Sequence, residues 1–174
     1  ATFTRQFVDA AADPRVQIID TRKTTPGLRR LEKAAVVAGG GANHRFGLFD
    51  MILVKDNHLA TSSGFSGFAA RVAQIRKEHP NVRIELEADH LEQVRSFVEL
   101  EGIDVILLDN MTPAQMREAV ALRKNNIKFE ASGGINLKNV RRVAATGVDY
   151  ISIGALTHSA RAIDLSLEMI HGHA

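Results

Sequence analysis

Arg22 and Lys23 stand just past "VQIID", an apolar run that reads as a buried strand, and Lys55 closes a second such run in "MILVK". Between them lie His44 and Arg45, in "GGGANHRFG". An arginine guanidinium is a planar fork that meets a carboxylate in two bonds, which a lysine cannot do. Gathered together, these side chains would suit a small polyanion. His44 alone also reads as a turn residue or a structurally satisfied histidine, and Lys55, at a strand end, also has the chemistry of an imine-forming lysine. A zinc site from His44, Asp56 and His58 is conceivable, but its spacing matches no established ligand pattern.

The acids call for a different partner. Glu85 and Glu87 in "ELEAD" are two apart and share one strand face, while Leu86 points to the other. With Asp109 of "LLDN", Glu87 suits sugar hydroxyls or water-bound Mg2+, which prefers oxygen ligands. Glu85 lies deeper, where a structural pair with an arginine or lysine explains it equally well. Ser132, Gly133 and Gly134 in "EASGGI", and Gly154 with Thr157 and His158 in "ISIGALTHS", occupy two consecutive loops where backbone N–H groups can cradle a phosphate. The alternative is a pair of helix-entry turns that need glycine for geometry alone.

These positions fall at the ends of six apolar segments, 16–19, 51–54, 82–86, 105–108, 128–131 and 150–153, which read as strands buried on both faces. Apolar residues spaced at three and four predict helices over 67–77, 91–100, 113–123 and 137–145. Thr112 before Pro113 is an N-cap signal, and Gly102 and Gly147 stand where helices end. Strands recurring every 22 to 34 residues or so with helices between them imply parallel pairing through right-handed crossovers. Two architectures meet this pattern, an α/β barrel of six units and an open doubly wound sheet. In both, the C-terminal strand ends form the ligand face.

The chain has 174 residues, 45% hydrophobic and 24% charged, with a net charge of +2, and reads as a single domain, 1–174. It lacks the dense basic run of a nucleic-acid arm, and its 5% aromatic content is thin for a base-stacking platform. With no cysteine, disulfides, thiolate chemistry and Cys-ligated zinc are excluded. No apolar run approaches the roughly 20 residues that span a bilayer, and the first residues lack a signal-peptide core. The expectation is a cytoplasmic protein that binds neither membrane nor nucleic acid.

Taken together and in order, "DTRKTTPGLR", "NHRFGLFDMILVKDNH", "ELEAD", "LLDN", "EASGGI" and "SIGALTHSA" resemble the quinolinate phosphoribosyltransferases, or carboxylating nicotinate-nucleotide diphosphorylases, over residues 18–167. The resemblance implies a six-stranded, incompletely closed, TIM-barrel-like (β/α) barrel. It also implies a pentosyltransferase of NAD biosynthesis that converts quinolinate and phosphoribosyl pyrophosphate, with Mg2+, to nicotinate mononucleotide, pyrophosphate and CO2. By the same resemblance, Arg22, Lys23, His44 and Arg45 face quinolinate. Lys55, Glu87 and Asp109 face phosphoribosyl pyrophosphate and are the catalytic set, Glu87 and Asp109 holding the metal through water. Ser132, Gly133, Gly134, Gly154 and His158 take the 5-phosphate.

The family's barrel follows an N-terminal sandwich domain of about one hundred residues, large enough to stand alone, and no counterpart is expected in this sequence. In family dimers that domain covers the neighbouring subunit's site and supplies a further arginine, so a homodimer or larger assembly is expected of the full-length protein. Relative to the family, one extra residue falls between Glu87 and Asp109, and Arg161 stands where proline is common. Two alternatives stay open: a phosphate-binding barrel fragment without turnover, and an imine-forming barrel enzyme that uses Lys55.

Overall fold

The structure, a computed structural model, describes residues 1–55 and 64–169. Its elements are α1 (Thr2–Ala11), β1 (Gln17–Ile19), α2 (Arg29–Ala38), β2 (Met51–Val54), α3 (Gly64–Glu78), β3 (Arg83–Ala88), α4 (Leu91–Phe97), β4 (Val105–Asp109), α5 (Pro113–Ala121), β5 (Lys128–Ser132), α6 (Val140–Ala144), β6 (Tyr150–Ser152) and α7 (Ala155–His158). The six strands lie in the order β1-β6-β5-β4-β3-β2, every pair parallel. Among the described residues no ladder joins β1 to β2, so hydrogen bonds do not close the ring. This is the incompletely closed α/β barrel rather than the open doubly wound sheet.

The alternation of the strands explains the interior. Ile84, Leu86, Ile106, Leu108, Phe129, Ala131 and Ile151 are buried in the layer beneath the helices, while Glu85, Glu87, Leu107, Asp109, Glu130 and Ser132 take the opposite face. Glu87 pairs with Leu107, Leu107 with Glu130, and Asp109 with Ser132, so acids from three strands stand at neighbouring levels inside the barrel. The segment after α2 closes the rim: Ala42 exchanges backbone bonds with Ile18 and Asp20 beside β1, and the Arg45 guanidinium reaches the Met51 carbonyl on β2 at 3.5 Å.

All six strands form where the apolar runs predict, and three of them (β3, β4 and β5) run one or two residues further toward the ligand face. Thr112 caps α5 in a reciprocal box with Gln115, whose N–H donates to the threonine hydroxyl at 3.3 Å. Gly102 and Gly147 have φ of 86° and 91° past α4 and α6. The sequence reading missed α1, α2 and the short α7. Helix α1 is amphipathic, with Phe3 against Phe7 at 5.2 Å, and packs on β1 and α6. Helices α4 and α5 end in turns before the expected 100 and 123, and α6 begins at Val140 rather than 137, after a turn over 137–139. Among the described residues no helix is long and apolar enough to cross a membrane.

Candidate active site

A cavity of about 670 Å³ opens at the C-terminal strand ends. Arg22 and Lys23 reach it from the turn after β1, His44 and Arg45 from the segment before β2, and Lys55 from just past β2. Glu87 and Asp109 line it from β3 and β4, Ser132, Gly133 and Gly134 from the end of β5, and Gly154 and His158 from the turn after β6. Every residue nominated for substrate, metal or phosphate therefore lines one cavity. Asp56, Asn57 and His58, and with them the conceivable zinc set, lie outside the described residues.

Arg22 and Arg45 are neighbours rather than splayed into solvent. The Arg22 Nε is buried without a hydrogen-bond partner. Burial, and then the like charge of Arg22, push Arg45 below its ordinary value, against the pull of Glu85 and Asp50. Two adjacent guanidiniums repel each other, and a dianion between them would relieve that cost.

On the other side, Lys55 Nζ lies 3.2 Å from Glu87 Oε2. That ion pair is unlike the apolar or cation-crowded setting that readies a lysine amine for imine formation. Glu87 and Asp109 offer carboxylate oxygens from adjacent strands at the cavity wall, a hard donor set suited to Mg2+ held with its waters.

The phosphate cradle is built from backbone. Among the described residues, the N–H groups of Gly133, Gly134 and Gly154 donate to no protein acceptor. Gly133 has φ 91°, and a methyl there would land on the Asn110 side-chain amide. A side chain at Gly154 would meet the His158 ring at 2.9 Å, so glycine lets that imidazole come close. Thr157 is structural: its hydroxyl donates to the Lys23 carbonyl at 2.6 Å and fastens the β6 turn to the β1 turn.

Beneath the cavity lies a set that the sequence reading did not assemble. His44 Nε2 is 3.1 Å from Glu85 Oε2 and 3.4 Å from Glu130 Oε2, and both glutamates are 1% exposed. The partner of Glu85 is thus this imidazole rather than an arginine or lysine. Glu130 was missed, although it lies two residues before Ser132 and alternation alone puts it on the interior face.

Neither carboxylate makes a well-directed hydrogen bond. Burial, then the charge of Glu130, raises Glu85 from 4.5 to about 7 against the pull of His44. Burial opposes an imidazolium at His44, but the two carboxylates outweigh it and favour a value of about 9. The Arg45 N–H works against them by donating to His44 Nδ1 at 2.8 Å, which requires a free lone pair there. With that bond in place the ring carries its single proton on Nε2, aimed at the glutamates.

The three ligand atoms lie within 4.8 Å of one another, close enough to hold a metal ion. Coordination through Nε2 would require the proton to move to Nδ1 and break the Arg45 bond, so the trio fits a metal poorly. Both ring nitrogens are engaged within the protein, which makes His44 a wall of the cavity rather than a donor into it.

A second hollow, of about 630 Å³, opens at the opposite strand ends. Its cations are already committed: Arg76 to Asp104 at 2.6 Å, Lys128 to Asp149 at 2.9 Å, and Arg83 over the Tyr150 ring at 4.8 Å.

The sequence model of the family described as quinolinate phosphoribosyl transferase, C-terminal domain, matches residues 1–168. Over 169 residues the chain is 46% identical to a probable nicotinate-nucleotide pyrophosphorylase [carboxylating] of Bacillus subtilis (strain 168), covering 97% of this chain and 57% of that protein. Over 172 residues it is 43% identical to the nicotinate-nucleotide pyrophosphorylase [carboxylating] of Mycobacterium leprae (strain TN), covering 97% and 59%. The nicotinate-nucleotide pyrophosphorylase structure from Francisella tularensis superposes with a TM-score of 0.86 at 37% identity, covering 95% of this chain and 57% of that one. NadC from Streptococcus pyogenes superposes at 0.85 and 39%, covering 96% and 57%. The chain thus spans less than two thirds of the length of these relatives.

Proposed function

Since this chain belongs to the quinolinate phosphoribosyl transferase family through its C-terminal domain, we propose that its cavity joins quinolinate to phosphoribosyl pyrophosphate and decarboxylates the adduct to nicotinate mononucleotide. One observation carries the reading: paired guanidiniums, two carboxylates and glycine turns with unpaired N–H groups line the same cavity. Arg22, Lys23 and Arg45 bind the flat dicarboxylate, with the His44 ring as its wall. Gly133, Gly134 and Gly154, with Ser132 and His158, hold the 5-phosphate.

The bond from the anomeric carbon to pyrophosphate breaks, and its electrons leave with pyrophosphate. The pyridine nitrogen lone pair then forms the new bond to that carbon. Glu87 and Asp109 stabilise the positive ribosyl centre through its hydroxyls, and Lys55 stands against the departing charge. Mg2+, held by Glu87 and Asp109 through water, would neutralise the pyrophosphate when bound. The carboxylate at ring position 2 then leaves as CO2, its electron pair stays on the ring carbon, and a proton takes its place. The ring cation accepts the developing charge, so holding the dicarboxylate in register is the protein's main task.

Cytoplasmic location and self-association through the full-length protein belong to the same proposal. The test is incubation with quinolinate, phosphoribosyl pyrophosphate and Mg2+, measuring CO2 and pyrophosphate. Equal release of both supports the reaction. Calorimetric binding of both substrates without release supports the binding-only alternative, and borohydride trapping of a substrate on Lys55 would support the imine-forming enzyme instead. If neither substrate binds, the assignment of the cavity is wrong.

A further inference from the structure

Arg22 and Arg45 do not bond to each other; the two segments that carry them meet through the buried Asp20 carboxylate instead. Helix α2 joins them from behind. Lys33 Nζ donates to Asp20 Oδ1 at 2.5 Å and to the His44 carbonyl at 3.1 Å, while the same Asp20 oxygen accepts the His44 N–H at 2.9 Å. Asp20 and Lys33 are 0% and 2% exposed. In the amide orientation its neighbours dictate, Asn43 donates to Asp20 Oδ2 at 2.6 Å and to the Lys33 carbonyl at 3.0 Å.

One helical turn earlier, Arg29 repeats the bridge. Its guanidinium donates to the Thr24 hydroxyl at 3.0 Å and the Arg22 carbonyl at 3.3 Å on one side, and to the Phe46 carbonyl at 3.3 Å on the other. Residues 29 and 33 are i and i+4 on one helix face, and each spans the same gap, between 20–24 and 44–46. Arg22 and Arg45 are carried by those two segments, and their like charges push them apart.

From this geometry we infer that Arg29 and Lys33, with Asp20, are positioning residues that set the separation of Arg22 and Arg45, and with it the fit of a planar dicarboxylate. The inference rests on the proposed quinolinate site. Its physical basis is that a fork binds bidentately only at one spacing, and a rigid frame must hold that spacing against repulsion.

The test compares wild-type chain with Arg29→Met, Arg29→Lys and the double variant Asp20→Asn/Lys33→Met, reading quinolinate and phosphoribosyl pyrophosphate affinities by calorimetry. The double variant removes both buried charges together, so it avoids leaving one unpaired, and thermal melts confirm that it folds. Arg29→Met and the double variant are expected to bind quinolinate about tenfold more weakly with phosphoribosyl pyrophosphate affinity unchanged. Arg29→Lys, which keeps the charge and loses the fork, should stay impaired.

Wild-type quinolinate affinity in the double variant, equal losses for both ligands, or full recovery in Arg29→Lys would each overturn the inference; the last would assign Arg29 a role through charge alone. If wild type binds no quinolinate, the functional reading fails. The clamp is then judged by amide hydrogen exchange at residues 43–46, which must accelerate in the double variant while β4 stays protected; unchanged protection overturns it.

Discussion

Replacing Glu85 with glutamine keeps its shape and removes its charge. The folded protein holds this proton up to about pH 7, against 4.5 in the unfolded chain. Between those values the folded state binds more protons than the unfolded state, so this group's contribution to stability falls as pH rises from 4.5 to 7 and stays low above that. The difference amounts to about 3 kcal/mol at pH 8 and less than about 1 kcal/mol at pH 5.

Glutamine would recover that cost but give up part of the attraction to His44. The net expectation is that Glu85→Gln is more stable than wild type by about 1–2 kcal/mol at pH 8 and roughly equal at pH 5. Urea unfolding of both proteins at the two pH values reads this directly. Asp20, also raised by burial, is common to both proteins and cancels. Asp13, Asp50 and Asp149 are held low, and are ionised in both states over this range. A variant no more stable at pH 8, or a difference that does not grow with pH, would mean that His44 is a full imidazolium counter-ion and that the Nε2–H assignment is wrong.

Arg22→Ala should weaken quinolinate binding by about 2 kcal/mol, roughly thirtyfold, and phosphoribosyl pyrophosphate binding far less; equal losses in the two calorimetric titrations would refute its assignment. Gly133→Ala forces a methyl into the Asn110 amide at positive φ, so it should cost about 1–3 kcal/mol and weaken phosphoribosyl pyrophosphate binding; an unchanged melt and affinity would count against the cradle. Asp149 accepts from Arg123 at 2.8 Å and from Lys128 and the Phe129 N–H at 2.9 Å each, which hold it below its ordinary 3.8 against burial. Asp149→Ala should cost about 2–3 kcal/mol at pH 7, a gap that closes as pH falls through and below 3.8, with ligand affinity intact because Asp149 lies at the opposite strand ends; lost quinolinate binding would contradict that separation.

Local rules made much of this protein legible from its residues alone. Apolar runs at regular spacing specify six parallel strands, and period-two alternation puts Glu85 and Glu87 on one face of theirs, because a strand has only two; that Asp109 and Ser132 share that face follows from the register between strands. Gly133 and Gly134 mark a turn at positive φ, with a Cβ at Gly133 blocked by Asn110, and the nominated residues, at or near strand ends or on the approach to β2, all line one cavity. Alternation also implied Glu130, two places before Ser132, but nothing local says what a buried acid faces. Residues 44, 85 and 130 meet only because the sheet rolls and the segment after α2 closes over its rim. Asp20, Lys33 and Arg29 likewise read as an ordinary strand end and a charged helix face. Their bridging role exists only once α2 packs behind the two segments, since a contact across sequence depends on how the chain closes and not on the residues beside it.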